Sequence, residues 1–275
     1  MNKMVKRIIV AAFVVPVVVF LIFAESPWFY IAIAFAALVM SLNEIYSMLA
    51  VKKMKAYRVL GNIFIVAVLA AASLGFNEIF ITAASAFFIL ACLTAVISEK
   101  DVNAINRFFY TAAPAMYITF LGVFGIKLRL LEHGSYFIFM LLFMTIICDA
   151  GAYFVGSAIG KRKLIPEISP AKTVEGAAGG VVVAVIATVI IYFTLLPKDI
   201  LGPNTLIHLI ALSFLMSVVG QAGDIAASVF KRFTGAKNSS NLLPEHGGAL
   251  DKIDSSMFNA PALYLYAVYF VPLFG

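Results

Sequence analysis

Residues 136–158 read YFIFMLLFMTIICDAGAYFVGSA, an apolar run in which Asp149 is the only charged side chain. A run of this length forms a helix that crosses a hydrocarbon core about 30 Å thick. Of the 275 residues, 63% are hydrophobic and 12% are charged, with a mean hydropathy of +1.02. In soluble domains about a quarter of all residues are charged. The composition therefore indicates an integral membrane protein.

Apolar runs separated by polar breaks predict nine membrane-spanning segments. Unpaired backbone groups cannot face lipid, so each segment is expected to be a helix and the fold class to be all-α. We expect one membrane-embedded domain over residues 1–275, with four N-terminal helices in 1–107 and the helices and loops that carry the candidate functional residues in 108–275. The predicted spans are 8–24, 28–50, 59–76, 79–97, 108–131, 136–158, 174–196, 205–222 and 255–273.

The basic residues predict the orientation of the chain in the membrane. Lys3, Lys6 and Arg7 precede the first span as in a signal peptide, but its apolar core is longer than is typical of one, which favours an uncleaved anchor. A cytoplasmic N-terminus leaves only Lys127, Arg129 and Lys198 of the 20 lysines and arginines on the outer side. This asymmetry follows the positive-inside rule and accounts for the net charge of +6.

The composition also excludes several classes of function. There is no basic polar domain that would bind nucleic acid. The two cysteines lie apart within apolar runs, and together with three scattered histidines they form neither a zinc motif nor a disulfide framework. We therefore expect neither a nucleic-acid partner nor redox chemistry.

The most polar part of the chain is residues 223–254, GDIAASVFKRFTGAKNSSNLLPEHGGALDKID. If the eighth span continues as a helix past Gly220, Asp224, Ser228 and Lys231 fall on one face. A carboxylate, a hydroxyl and an ammonium group would then converge at the cytoplasmic end of the span. The alternative is a solvated helix end with an ordinary charge pair.

The remainder of this segment favours a metal and phosphate site. Arg232 and Lys237 supply charged donors for phosphate, and the glycine pair Gly247 and Gly248 allows a backbone to approach an anion closely. Carboxylates such as those of Asp224 and Asp251 are ligands that Mg²⁺ prefers. His246 is a candidate base or ligand, although a lone histidine is more often structural.

Two further segments face the same predicted side of the membrane. In the sixth span Asp149, Tyr153, Gly156 and Gly160 form one stripe. Its glycines are typical of helix packing, whereas a carboxylate at that depth is a functional candidate. Glu44 in the second span is either functional or a buried structural carboxyl.

The second segment, SPAKTVEG at residues 169–176, precedes the seventh span. It places Ser169, Lys172 and Thr173 beside the positive end of a helix, where an anion can bind. Glu175 in the first turn is either functional or an ordinary partner of the helix dipole.

These residues together resemble a known family. Ser228-x-x-Lys231-Arg232, Lys237-Asn238 and His246-Gly247-Gly248-x-x-Asp251-Lys252-x-Asp254 are similar to the C-terminal signature of the phosphatidate cytidylyltransferases. SPAKTVEG, the stretch from Asp149 to Lys161, the length and the number of spans also resemble that family. The chain departs from the family pattern, which usually has Asp at 238, Arg at 252 and often Glu at 227; here these positions are Asn238, Lys252 and Ala227.

The resemblance implies transfer of a cytidylyl group from CTP to phosphatidic acid, with pyrophosphate as the second product, in a bacterial cytoplasmic membrane with the site facing the cytoplasm. It implies that Asp224 and Asp251 hold Mg²⁺, beside which a second cation can bind, and that membrane lipid and a second copy of the chain are partners. Asp149 would line the cavity or assist the metal. The groups implied to grip the triphosphate or the lipid head group are Ser169, Lys172, Lys231, Arg232 and Lys237.

Three alternatives stay open at this point. Another CTP-dependent lipid enzyme, such as a polyprenol kinase or an ether-lipid cytidylyltransferase, shares this chemistry. An ion-coupled transporter would explain Asp149 and Glu44 but would leave the polar segment 223–254 unexplained. An inactive relative would explain Asn238, Lys252 and Ala227.

Overall fold

The computed structural model describes residues 16–99, 103–242 and 247–274, and these residues are almost entirely helical. A short antiparallel hairpin between the sixth and seventh helices is the exception. The elements are α1 (16–23), α2 (Trp28–Val51), α3 (Arg58–Ser73), α4 (Asn77–Glu99), α5 (Asn103–Arg129), α6 (Gly134–Ile159), β1 (Lys163–Ile165), β2 (Ser169–Thr173), α7 (Val174–Thr194), α8 (Thr205–Thr234), α9 (Leu250–Leu265), a π-helical turn (Tyr266–Phe270) and α10 (Val271–Phe274).

The structure confirms the all-helical class of membrane protein. Five helices of the described part, α2, α5, α6, α7 and α8, are long and apolar enough to cross a membrane. Arg58–Ser73 and Thr82–Thr94 are shorter apolar helical stretches. The predicted count of nine spans is close to the number of helices in the described ranges. The cytoplasmic location of the N-terminus stays a prediction.

The chain forms two compact units, each assembled from two separate ranges. Unit 1 comprises Met1–Leu130 and Lys231–Ile253, and unit 2 comprises Leu131–Phe230 and Asp254–Gly275. The expectation of one domain with a boundary near residue 107 stays a prediction.

Unit 1 is built around α5, which packs against α2, α3 and α4. Its interior is apolar, with Leu42, Ile65 and Ile118 fully buried. The buried Tyr46 hydroxyl of α2 donates to the Thr111 carbonyl of α5 at 2.9 Å. An unpaired polar group would be costly in this interior.

Unit 2 depends on the close approach of α6 and α7. A Cβ at Gly176 would lie 2.7 Å from the Ala152 carbonyl oxygen, and one at Gly180 would lie 2.7 Å from the Cys148 carbonyl oxygen. Small residues permit such contacts between membrane helices. The glycine-rich start of α7 therefore serves helix packing, as does Gly156, which faces Gly176.

Hydrogen bonds between helices complete unit 2. The Thr188 hydroxyl of α7 donates to the Ser213 hydroxyl of α8 at 3.1 Å. The amide of Asn259 in α9 donates to the Thr145 hydroxyl of α6 at 2.9 Å. Because hydroxyl and amide groups need partners in an apolar surrounding, these bonds fix the positions of α6, α7, α8 and α9.

Candidate active site

Unit 2 contains a cavity of about 490 Å³ between α6, β2, α7 and α8. Asp149 comes from α6, Lys172 from the end of β2 and Asp224 from α8. Gln221, one turn before Asp224, also lines the cavity. The structure thus brings together three predicted site residues that are far apart in sequence.

Lys172 and Asp224 form an ion pair inside this cavity. The Lys172 ammonium lies 2.6 Å from Asp224 Oδ2, and both side chains are roughly one quarter exposed. The Ser228 hydroxyl donates to Asp224 Oδ1 at 3.4 Å, as expected for two residues one helical turn apart. Asp224 and Ser228 therefore share a face of α8, but the cation that pairs with Asp224 is Lys172, and Lys231 pairs with Asp251.

Lys172 is positioned by the hairpin and by the start of α7. Lys163 of β1 pairs with Thr173 of β2, and the Thr173 hydroxyl accepts a hydrogen bond from the Gly176 N–H at 3.1 Å. Threonine is a favoured N-cap because its oxygen satisfies an N–H group that the helix leaves unpaired. Thr173 therefore ends the strand and starts the helix, and its side chain acts as a cap at the cavity wall.

Glu175 stabilises the same corner. Its carboxylate accepts hydrogen bonds from the backbone N–H groups of Lys161 and Arg162 at 3.0 and 3.1 Å and lies 3.3 Å from the Arg162 guanidinium. These bonds join the end of α6 to the first turn of α7. Glu175 thus has a structural role, and it does not line the cavity.

A second polar cluster belongs to unit 1 and is centred on Asp251. Lys231 donates to Asp251 Oδ1 at 2.7 Å. The other oxygen, Oδ2, accepts from the Ser239 N–H at 2.8 Å, the Ser239 hydroxyl at 2.9 Å and the Gly248 N–H at 3.0 Å. The anion that approaches the glycine pair in this structure is therefore the chain's own Asp251.

Gly247 is required by this arrangement. Its φ of +82° lies in the left-handed region, which favours glycine. A Cβ at this position would lie 2.5 Å from Asp251 Oδ2. Any other residue would thus strain the backbone and displace the carboxylate.

The hydrogen bonds at Asp251 determine its protonation. Burial by itself would raise the pKa of this carboxyl, but the N–H groups of Gly248 and Ser239 and the ammonium of Lys231 outweigh it, so the pKa lies below its usual value. Asp251 lies before the last predicted span, 255–273. Because its pKa is lowered, its carboxyl is a stable anion at neutral pH.

A pH dependence of stability follows from the lowered pKa. A carboxyl whose pKa is lower in the folded state stabilises the fold above its unfolded pKa, about 3.9, and loses this contribution as the pH falls through the folded value. We expect Asp251→Asn to lower the melting temperature in detergent by a constant amount between pH 7 and 5. The difference from the wild type should shrink below about pH 4. Asp199→Asn, at an exposed acid of the loop before α8, serves as control; a difference for Asp251→Asn that does not change with pH would contradict this assignment.

Glu44 holds the Asp251 cluster in place. The sequence alone left open whether this carboxyl is functional or structural. It is buried in α2, and its Oε1 accepts from the Ser240 hydroxyl at 2.7 Å and the Ala249 N–H at 2.9 Å. Its Oε2 accepts from the Ser239 hydroxyl at 2.7 Å and the Leu250 N–H at 3.0 Å. Glu44 therefore satisfies the first N–H groups of α9 and is a structural carboxyl.

The remaining predicted site residues are Arg232, Lys237, Ser169 and His246. Arg232 is exposed, and its guanidinium donates to the Ala236 carbonyl at 3.0 Å. Lys237 is exposed and Ser169 is half-buried in β2. His246 lies outside the described residues. Sequence reasoning missed Gln221 and Ser239; the spacing of Gln221 three residues before Asp224 could have revealed it.

The cavity of unit 2 fits a divalent cation of the magnesium type. Asp149 and Asp224 supply two carboxylates to one cavity, and Mg²⁺ in proteins is held by one or two carboxylates while water and phosphate oxygens complete its shell. Within the described ranges, no three His, Cys, Asp or Glu side chains gather as a complete metal cage. Asp251, in contrast, has both oxygens engaged by donors of unit 1.

Comparison with known proteins shows the family of this chain. Residues 5–270 match the model of the cytidylyltransferase family. The chain is 40% identical over 185 residues to a phosphatidate cytidylyltransferase of Bacillus subtilis, which covers 67% of each protein. It is 40% identical over 155 residues to one of Haemophilus influenzae, with 54% of this chain and 53% of that protein covered. A third, from Staphylococcus haemolyticus, is 33% identical over 183 residues, which is 65% of this chain and 68% of the relative.

Proposed function

The chain belongs to the cytidylyltransferase family, and on this premise we propose that it transfers the cytidylyl group of CTP to phosphatidic acid. The products are CDP-diacylglycerol and pyrophosphate, and the reaction belongs to phospholipid biosynthesis. The observation that carries the proposal is the cavity of unit 2, where Asp149 of α6, Lys172 of β2 and Asp224 of α8 line one space in a membrane protein. The names of the relatives support the choice of substrates.

The chemistry requires positioning and charge neutralisation more than a base. An oxygen of the lipid phosphate attacks the α-phosphorus of CTP, and the bond from that phosphorus to the β-phosphate oxygen breaks as pyrophosphate leaves. The attacking phosphate is already ionised near neutral pH, so placing the reactants and stabilising negative charge supply the acceleration. Lys172, on the cavity wall, binds phosphate oxygens in this scheme.

Mg²⁺ bound at this site would neutralise phosphate charge and polarise the oxygens of the reacting phosphates. We propose Asp224 as its ligand in the cavity of unit 2; Asp251, the second ligand that the family resemblance implies, belongs to unit 1. The shared cavity supports a further role for Asp149 beside Asp224. A second cation would add to the same neutralisation.

The remaining predicted residues bind the substrates in this proposal. Charged donors grip the triphosphate or the lipid head group, and CTP enters from the cytoplasm while acyl chains remain between the helices. The groups proposed for substrate binding are Ser169, Thr173, Ser228, Lys231, Arg232, Lys237, His246, Gly247 and Gly248. A homodimer is also part of the proposal, as the family resemblance implies, and light scattering of the purified protein tests it.

The reaction is tested by following the cytosine ring of CTP and the pyrophosphate that is released. Purified protein in detergent with phosphatidic acid, Mg²⁺ and CTP labelled in the cytosine ring should produce labelled lipid and one equivalent of pyrophosphate. A polyprenol kinase would instead leave the label in CDP and transfer the γ-phosphate to its lipid. Label in CDP but not in lipid, or no turnover with phosphatidic acid, would refute the proposal; a polyprenol acceptor and an archaeal-type ether lipid are run in parallel.

A further inference from the structure

Unit 1 contains a second polar cavity, of about 450 Å³, between the end of α2 and the start of α5. None of the residues that line it lines the cavity of unit 2. Its wall includes four cationic side chains and two side-chain amides: Lys52, Lys53, Lys55, Arg107, Asn103 and Asn106. No acidic residue is among the described residues of the wall.

The end of α2 arranges the three lysines. The backbone N–H groups of Lys52 and Met54 both donate to the Leu49 carbonyl at 3.0 Å. Between them Lys53 adopts the left-handed conformation, with φ of +60°, which is uncommon for a residue with a side chain. The chain therefore reverses within one turn, and Lys52, Lys53 and Lys55 all line the same cavity.

Arg107 of α5 also lines the cavity. Its guanidinium lies over the Tyr57 ring, 4.0 Å from the ring centre. The Thr111 hydroxyl donates to the Arg107 carbonyl and accepts from the Tyr57 N–H, both at 2.8 Å. The cationic group is thus fixed before any ligand arrives.

Membrane orientation alone does not explain this arrangement. The positive-inside rule needs lysine and arginine on one side of the membrane, but it does not require them to surround a cavity. Like charges placed together repel one another, and a concave site of one sign attracts counter-ions. The Asn106 amide, which also lines the cavity, adds a donor that suits an oxyanion. The cavity therefore fits a ligand with a phosphate group.

The surface beside the cavity indicates the source of that phosphate. Val51, Ile105 and Phe109 are next in sequence to lining residues, and more than half of each side chain is exposed. Apolar side chains beside a basic pocket suit a molecule that has both acyl chains and a phosphate. We propose that this cavity binds the phosphate of an anionic phospholipid head group, at a site separate from the cavity of unit 2.

The proposal is tested by lipid binding to the purified full-length protein. Native mass spectrometry in detergent is used to titrate phosphatidylglycerol, zwitterionic phosphatidylcholine and inorganic pyrophosphate. The wild type should retain phosphatidylglycerol in preference to phosphatidylcholine. Lys53→Gln/Lys55→Gln should weaken the binding of phosphatidylglycerol by about twenty- to thirtyfold, since each basic residue near an anionic lipid contributes about a factor of five.

The control is Lys161→Gln/Lys163→Gln, which removes the same charge from two exposed lysines of unit 2. It should retain wild-type binding, and melting temperatures verify that both variants are folded. Equal losses in the two double variants would overturn the proposal. So would pyrophosphate binding that depends on Lys53 and Lys55 while lipid retention does not.

Discussion

Asp224→Asn is expected to reduce incorporation of CTP into lipid by about a thousandfold or more, while the protein stays folded. The carboxylate is paired with Lys172 at 2.6 Å and shares its cavity with Asp149. Loss of one charged group that stabilises a transition state commonly costs a factor of 10² to 10³, and here the change also weakens the proposed metal site. The measurement is the initial rate with labelled CTP in detergent, at saturating and at limiting Mg²⁺.

Asp199→Asn is the matched control for this change. Asp199 is an exposed acid in the loop before α8 and does not line the cavity, so its replacement should leave the rate within about twofold. Activity of Asp224→Asn close to that of the wild type would exclude Asp224 as a metal ligand. A rate that recovers at high Mg²⁺ would instead show that the variant binds the metal weakly, as the proposal requires.

Glu44→Ala is expected to destabilise the protein by about 3–5 kcal/mol, the range found when one partner of a buried charged network is removed. The change leaves three donors without this acceptor, the Ser240 hydroxyl and the N–H groups of Ala249 and Leu250, and leaves the Ser239 hydroxyl with Asp251 alone. Since Ser239 also donates to Asp251, the cluster around Asp251 should lose order too. The free energy of unfolding in mixed micelles measures the effect.

Glu25→Ala provides the comparison, because Glu25 is an exposed acid of the same unit. It should change the free energy of unfolding by less than about 0.5 kcal/mol. Glu44→Gln should fall between the two, since one acceptor oxygen remains while its new NH₂ group faces donors. A Glu44→Ala variant within about 1 kcal/mol of the wild type would contradict the structural role.

Local patterns predicted the helical elements well. The sixth span, predicted as 136–158, is α6, Gly134–Ile159, and the seventh begins at 174 as predicted, because Thr173 caps it. The hairpin Lys163–Thr173 was missed. Its strands have three and five residues, too short for an alternating pattern to be recognised.

The sequence did not predict which distant residues pair with one another. Spacing indicated that Asp224 and Ser228 share a face, and they do. It suggested Lys231 as the cation on that face, yet Lys172 pairs with Asp224 and Lys231 pairs with Asp251. Helical periodicity predicts neighbours one turn apart, whereas these partners meet only because separate elements pack together.

The sequence alone determined the membrane class, the succession of helices and the chemical types of the site residues, because these depend on composition and on local periodicity. Only the tertiary structure decided that Asp149, Lys172 and Asp224 line one cavity and that Glu44 supports the turn at Asp251 from 195 or more residues away. The physical reason is that each carboxylate takes the donors that packing brings within about 3 Å. Sequence separation carries no information about which donors those are.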